Sequence, residues 1–82
     1  MTNSTNTDRS FQGFASYETW NIALWITNDQ NLYEFAKQGF ADYLTFAQCL
    51  LEKSTFISTP DGVDFISNAL DYKHLDEIIY DL

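Results

Sequence analysis

The chain has 82 residues, with 12 acids against 4 bases and a single histidine, for a net charge of −8 at neutral pH. That length suits one domain, since compact domains span about 50 to 250 residues, and it leaves no room for a dinucleotide-binding or barrel enzyme. Four scattered bases also exclude direct binding to a nucleic-acid backbone, which needs clustered Lys and Arg.

The same composition says that the chain folds. Hydrophobic residues make up 45% and aromatics 17%, whereas disordered acidic chains are poor in both. Each buried aromatic removes roughly 150–250 Å² from water. A chain this short buries only about 60% of its unfolded surface, so some aromatics are expected at the surface or in an interface. One cysteine, Cys49, forms no internal disulfide, and no secretory leader is read at the start. The longest apolar runs, such as Ile22-Ala23-Leu24-Trp25-Ile26, have five residues against the about 20 of a membrane span. The expectation is a soluble, cytoplasmic protein (the host cytoplasm, if a phage encodes it) that makes no membrane contact.

Residues 1–10 carry no apolar residue after the initiator and are expected to be a disordered tail, with the ordered domain over residues 11–82. Ser16 suits an N-cap, and Glu18 in the first turn complements the dipole of a helix running from Tyr17 to about Asn28. Its apolar residues, Tyr17, Trp20, Ile22, Ala23, Leu24, Trp25 and Ile26, cover most of the circumference. A helix apolar nearly all round is buried, so this one is taken as the Trp-rich centre of the fold. Asn28 or Asp29 caps the next helical pattern, which runs from Leu32 to about Lys53. Gly39 lies inside that pattern and costs roughly 1 kcal/mol against Ala in a helix interior. It either splits the segment in two or admits a close neighbour.

Thr59-Pro60-Asp61-Gly62 has the residue order of a type I turn, and Val63-Asp64-Phe65-Ile66 alternates apolar and polar residues. Residues 55–66 are read as a short two-stranded ribbon or an ordered loop, and periodicity does not decide between them. Asp71 caps a last helix whose apolar residues are Tyr72, Leu75, Ile78, Ile79 and Leu82. The fold class is therefore mainly α, a small single-domain bundle of three to four helices.

No catalytic constellation stands out. Cys49 has only His74 as a candidate base, and its place beside Leu50 and Leu51 reads as a small core hydrophobe. Asp71, His74 and Glu77 share a helical face, yet a zinc site wants four N or S ligands and His74 is the lone imidazole. The segment Asp61 to Asp64 lacks the alternating acids of a calcium loop, and three scattered glycines make no phosphate cradle. No metal and no cofactor is expected, and the chain is read as not an enzyme. A small hydrolase or metal-dependent enzyme built around His74 is kept as a second alternative.

Two features point instead to binding. Trp20, Trp25 and Tyr80 are candidate aromatic anchors, although core packing is the ordinary use of a tryptophan. Asn21 and Asn28 lie seven apart on one face and read as satisfied amides or caps. Residues Pro60 to Leu82 hold Asp61, Asp64, Asp71, Asp76, Glu77 and Asp81 against Lys73 alone, so this stretch carries −5 of the total −8. Glu77 and Asp81 repel at four-residue spacing, and Asp81 lies near a helix end that prefers cations. Stability would not choose that arrangement. Carboxylates one turn apart are roughly 5–6 Å apart, close to the spacing of successive phosphates in stacked DNA. These six acids are either a solubilising surface or the candidate partner-binding face, matched to a protein with a basic nucleic-acid-binding surface.

The run from Tyr17 to Asp29 (YETWNIALWITND), followed by Leu32-Tyr33, resembles a family of small, largely uncharacterised phage, plasmid and bacterial proteins that carry an ETWNxALWIxNDxxLY signature. Residues 59 to 82, with Thr59-Pro60-Asp61-Gly62-Val63 and Leu70-Asp71-Tyr72, resemble that family's closing part. The resemblance implies a small domain linked to mobile elements and brings no established activity and no catalytic residue. That context suggests, by analogy, an inhibitor of host defence of the anti-CRISPR or antirestriction type. The alternative is a structural module that forms a homodimer through its aromatic surplus.

Overall fold

The computed structural model describes residues 13–54 and 57–82. The tail expected over residues 1–10, Phe11 at the expected start of the domain, and Thr55-Phe56 at the start of the expected ribbon lie outside the described residues. Four helices follow in chain order: α1 (Tyr17–Asn28), α2 (Gln30–Ala36), α3 (Tyr43–Lys53) and α4 (Tyr72–Asp81). The described part is mainly α, as the sequence implies.

Each helix starts where an Asp or Ser side chain replaces the missing intrahelical acceptor. Ser16, Asp29, Asp42 and Asp71 accept from the backbone N–H groups of Thr19, Leu32, Thr45 and His74. Asp29 also closes α1, donating its own N–H to the Trp25 carbonyl at 2.9 Å, so one residue makes the corner between two helices. Gly39 splits the long apolar pattern. Its φ of +98° is left-handed, and a Cβ there would meet no atom within 4 Å, so the glycine is needed for conformation and not for close approach.

The core is shared by all four helices and the connector between α3 and α4. Ile22, Ile26, Phe46, Phe65, Tyr43 and Leu75 are fully buried. Phe35, Phe40 and Phe46 form a ring cluster with centroids 5.3 to 5.7 Å apart. This cluster packs α2, the turn after it and α3 against one another. Burial also alternates along the connector, with Val63 and Phe65 inside and Asp64 and Ile66 outside.

One open reading is decided and one expectation needs correction. Of residues 55–66, the described part, 57–66, is an ordered loop with a single antiparallel bridge between Ser58 and Asp64, and no strand forms among the described residues. The Thr59-Pro60-Asp61-Gly62 turn closes through Gly62 N–H to the Thr59 carbonyl at 2.8 Å, and beyond it Thr59 N–H donates to the Val63 carbonyl at 2.8 Å and Phe65 N–H to the Ile57 carbonyl at 3.4 Å. The Trp-rich helix is not buried all round. Ile22, Ala23 and Ile26 of α1 are buried, but so are Thr19 and Asn21, whereas Trp20 and Trp25 are half-buried. Two polar side chains with fixed partners occupy the inside, and the indoles flank it.

Candidate functional site

Two places on the molecule gather the sequence motifs. The first is the joint between α1 and the α3–α4 connector. Asn21 and Trp25 lie one helical turn apart, so their side chains project together. Both donate to one atom, Oδ2 of Asp61, from Asn21 Nδ2 at 2.8 Å and Trp25 Nε1 at 2.9 Å. The Thr59 hydroxyl donates to Asn21 Oδ1 at 2.7 Å and accepts from the Val63 N–H at 3.2 Å. The amide of Asn21 thus has one orientation that satisfies both ends. Asn21 Nδ2 also reaches the Tyr17 hydroxyl at 3.4 Å. The donors from Asn21 first and Trp25 second hold the Asp61 carboxyl below its ordinary range, with a small opposing effect of burial. A carboxylate tied this way is poorly placed to take up a proton, so general-base chemistry finds no purchase here.

A second clasp lies at the start of α1. Ser16 Oγ donates to the Ala69 carbonyl at 2.8 Å and accepts from the Thr19 N–H at 3.1 Å. Its one proton is then spent, so the 2.8 Å contact between the two hydroxyls has Thr19 as donor. Thr19 Oγ1 in turn accepts from the Asp71 N–H at 2.9 Å, which sets where α4 begins.

The other place is the outward side of α4. Asp76 turns inward, and its Oδ1 accepts from the Tyr43 N–H at the head of α3 at 2.8 Å. Tyr43 is buried, and its hydroxyl donates to the Phe65 carbonyl at 2.7 Å. Burial, and then the neighbouring Tyr72 ring, push that phenol well above its ordinary range, so it stays neutral. Beyond Asp76, Glu77, Tyr80 and Asp81 face solvent, and Tyr80 is 89% exposed. None of their side chains has a hydrogen bond or ion pair among the described residues. With Ala41 and Asp76 they line an open recess of about 370 Å³. No basic residue occupies the last turn of α4.

The six candidate acids therefore divide. Asp61, itself exposed, Asp71 and Asp76 accept hydrogen bonds within the fold, while the side chains of Asp64, Glu77 and Asp81 are exposed and bond to none of the described residues. Of the aromatic candidates, Trp25 is tied to Asp61. Trp20 borders a groove of about 340 Å³ with Phe14, Ala23, Leu24 and Ile78, and Tyr80 alone stands clear. Among the described residues no group of three His, Cys, Asp or Glu is close enough to hold a metal ion. The His74 ring stacks on Phe14 with centroids 4.4 Å apart, and Asp71 caps the same helix, so neither side chain turns toward Glu77 as a joint ligand. Cys49 is a half-buried free thiol on α3.

Asn21 is a satisfied buried amide, as read from the sequence, but its partners were not read there. A signal exists: a buried amide on an apolar helix must find partners, and the polar turn Thr59 to Gly62 offers a hydroxyl and a carboxylate.

No helix among the described residues is long and apolar enough to cross a membrane. The model of the Family of unknown function (DUF7249) matches residues 7–82, and the chain belongs to that family. No curated protein and no solved structure matches the chain.

Proposed function

We propose that this DUF7249 member is a non-enzymatic binding protein that docks the outward side of α4 on a basic, nucleic-acid-binding surface of a partner protein. One observation carries the reading. Glu77, Tyr80 and Asp81 form an exposed, unpartnered stripe on the last two turns of α4, whereas the acids nearer the connector serve the fold. Two carboxylates beside an exposed aromatic ring combine electrostatic steering with an apolar anchor. The net charge of −8 adds a long-range attraction to basic surfaces and repels nucleic acid itself.

The face is smaller than six acids. Glu77, Asp81 and Tyr80 form its centre, Asp64 on the connector adds charge, and Asp61, Asp71 and Asp76 support it from within. A host-defence nucleoprotein is the partner class we favour, because the motif resembles proteins of mobile elements and such complexes expose basic channels.

Pull-down of DNA-binding host complexes by the tagged chain, at low and high salt, tests the reading. Retention at low salt that falls at high salt, with displacement of bound DNA, supports it. The double variant Glu77→Lys, Asp81→Lys should lose retention while keeping the helical circular dichroism of the parent. Absence of any basic partner at low salt sinks the proposal. Asp76 is left unchanged in this design because its loss would disturb the head of α3.

A further inference from the structure

We infer that the recess on α4 takes an arginine side chain of the partner, its guanidinium lying on the Tyr80 ring and bonded to Glu77 and Asp81. This inference rests on the proposed binding face and names the group that the face recognises. The carboxylates alone would be an ordinary solvated surface. What sets the place apart is an aromatic ring left 89% exposed at the rim of a recess of about 370 Å³, with no packing partner.

Charge complementarity chooses the occupant. An apolar side chain would strip water from Asp76, Glu77 and Asp81 with nothing to replace it, which is costly. A nucleic-acid phosphate would be repelled. A cation is drawn by the carboxylates and by the C-terminal end of the α4 dipole, where no basic residue of the chain competes. Between the two basic side chains, the planar guanidinium does both things the recess asks for. It stacks on an aromatic face, and its fork of donors reaches the carboxylates beside the ring. An ammonium is a strongly hydrated point charge and makes only the second contact well. Glu77 lies one turn before both Tyr80 and Asp81 and between them in the helical net, and all three line the recess, so a guanidinium bonded to Glu77 has the ring on one side and Asp81 on the other. Asp76 is held by the Tyr43 N–H at 2.8 Å and fixes the inner wall.

The test is a titration of the isotope-labelled full chain with two peptides, tetra-arginine and tetra-lysine, read by amide and aromatic resonances. Shifts should centre on Ala41, Glu77, Tyr80 and Asp81, with tetra-arginine binding about two- to fivefold more tightly. Tyr80→Ala should remove that preference and Tyr80→Phe should keep it. The double variant Glu77→Gln, Asp81→Asn should weaken both peptides. Because Tyr80 is so exposed, its variants should keep the parent's circular dichroism, and should Tyr80→Ala lose it, Tyr80→Leu, which keeps the helix propensity and lacks the ring, takes its place with the same loss of preference expected. Equal affinity for both peptides, indifference to Tyr80→Ala, or shifts centred on another surface would each overturn the inference. Failure of the wider reading looks different. An arginine preference without any displacement of DNA from a partner leaves the recess standing and removes the proposed function. Displacement of DNA that survives Tyr80→Ala unchanged does the reverse.

Discussion

The α1–connector joint and the outward side of α4 are both acidic, and they use their acids in opposite ways. At the joint, Asp61 accepts from two neutral donors and Asp71 caps a helix, so those carboxylates are spent on shape. On α4, Glu77 and Asp81 repel each other, lie toward the wrong end of the helix dipole, and have no partner among the described residues. The first arrangement is what folding selects. The second is what folding tolerates when another requirement acts. Net charge counted along the chain hides this difference, and hydrogen-bond accounting exposes it.

The largest test of the comparison is Asn21→Ala. Asn21 has no exposed surface, and removing its amide orphans the Thr59 hydroxyl and takes one of two donors from Asp61. A loss of about 2–3 kcal/mol is expected by urea denaturation, from unsatisfied buried groups. Tyr80→Ala should change stability by less than about 0.5 kcal/mol, as exposed positions usually do. If the two substitutions cost the same, the joint is not the structural region and the α4 stripe is not the free one.

Asp76→Ala comes next. It removes a carboxylate that α4 supplies to the first N–H of α3, a capping contact made across two helices. The expected cost is about 1 kcal/mol, in the range of lost helix caps. Asp76→Asn should recover part of it, because the amide oxygen still accepts. A neutral result for Asp76→Ala would return Asp76 to the free acids and enlarge the binding face.

How far the sequence carried the fold depended on where information is local. Helix starts were legible at Ser16, Asp29 and Asp71, because a cap is a residue type beside a periodic run. The break at Gly39 was legible for the same reason, although the sequence did not distinguish conformation from close packing. The cap at Asp42 was not legible, because the apolar period continues across it from Phe40 to Tyr43. Burial of α1 was misjudged because counting apolar positions ignores polar residues that find partners 38 to 52 positions away. Large indoles, meanwhile, are seldom wholly enclosed. The same non-local bonds decide which acids are free, so the candidate site was legible as a charge cluster and not as a set of roles.

The joint also has a signature in pH. Asp61 is held below its ordinary range by Asn21 and then Trp25, and Asp42 by the hydroxyl and then the N–H of Thr45. A folded-state value below the unfolded one adds stability at pH above the ordinary carboxylate value of about 3.9. That stability is lost as pH falls through the lower folded value. Acid titration of the unfolding midpoint should therefore show Asp61→Asn less stable than the parent near neutrality, with the two curves converging under acid. Parallel curves would mean that Asp61 is bonded no better in the folded chain than in the unfolded one.

The smallest expected effect has the opposite sign, and for that reason it separates the two regions most cleanly. Asp81→Asn removes one member of the Glu77–Asp81 repulsion and a negative charge from the last turn of α4. A gain of roughly 0.3–0.8 kcal/mol is expected at low ionic strength. It should shrink when salt is raised from about 0.01 M to about 0.3 M, because exposed charges are screened over a few ångströms. The same variant should bind tetra-arginine more weakly, so stability and binding move in opposite directions. No substitution at the joint should do this, since there each carboxylate serves the fold through a short hydrogen bond. A loss of stability in Asp81→Asn would show that this carboxylate also has a structural partner, and the distinction between the two regions would end at Tyr80.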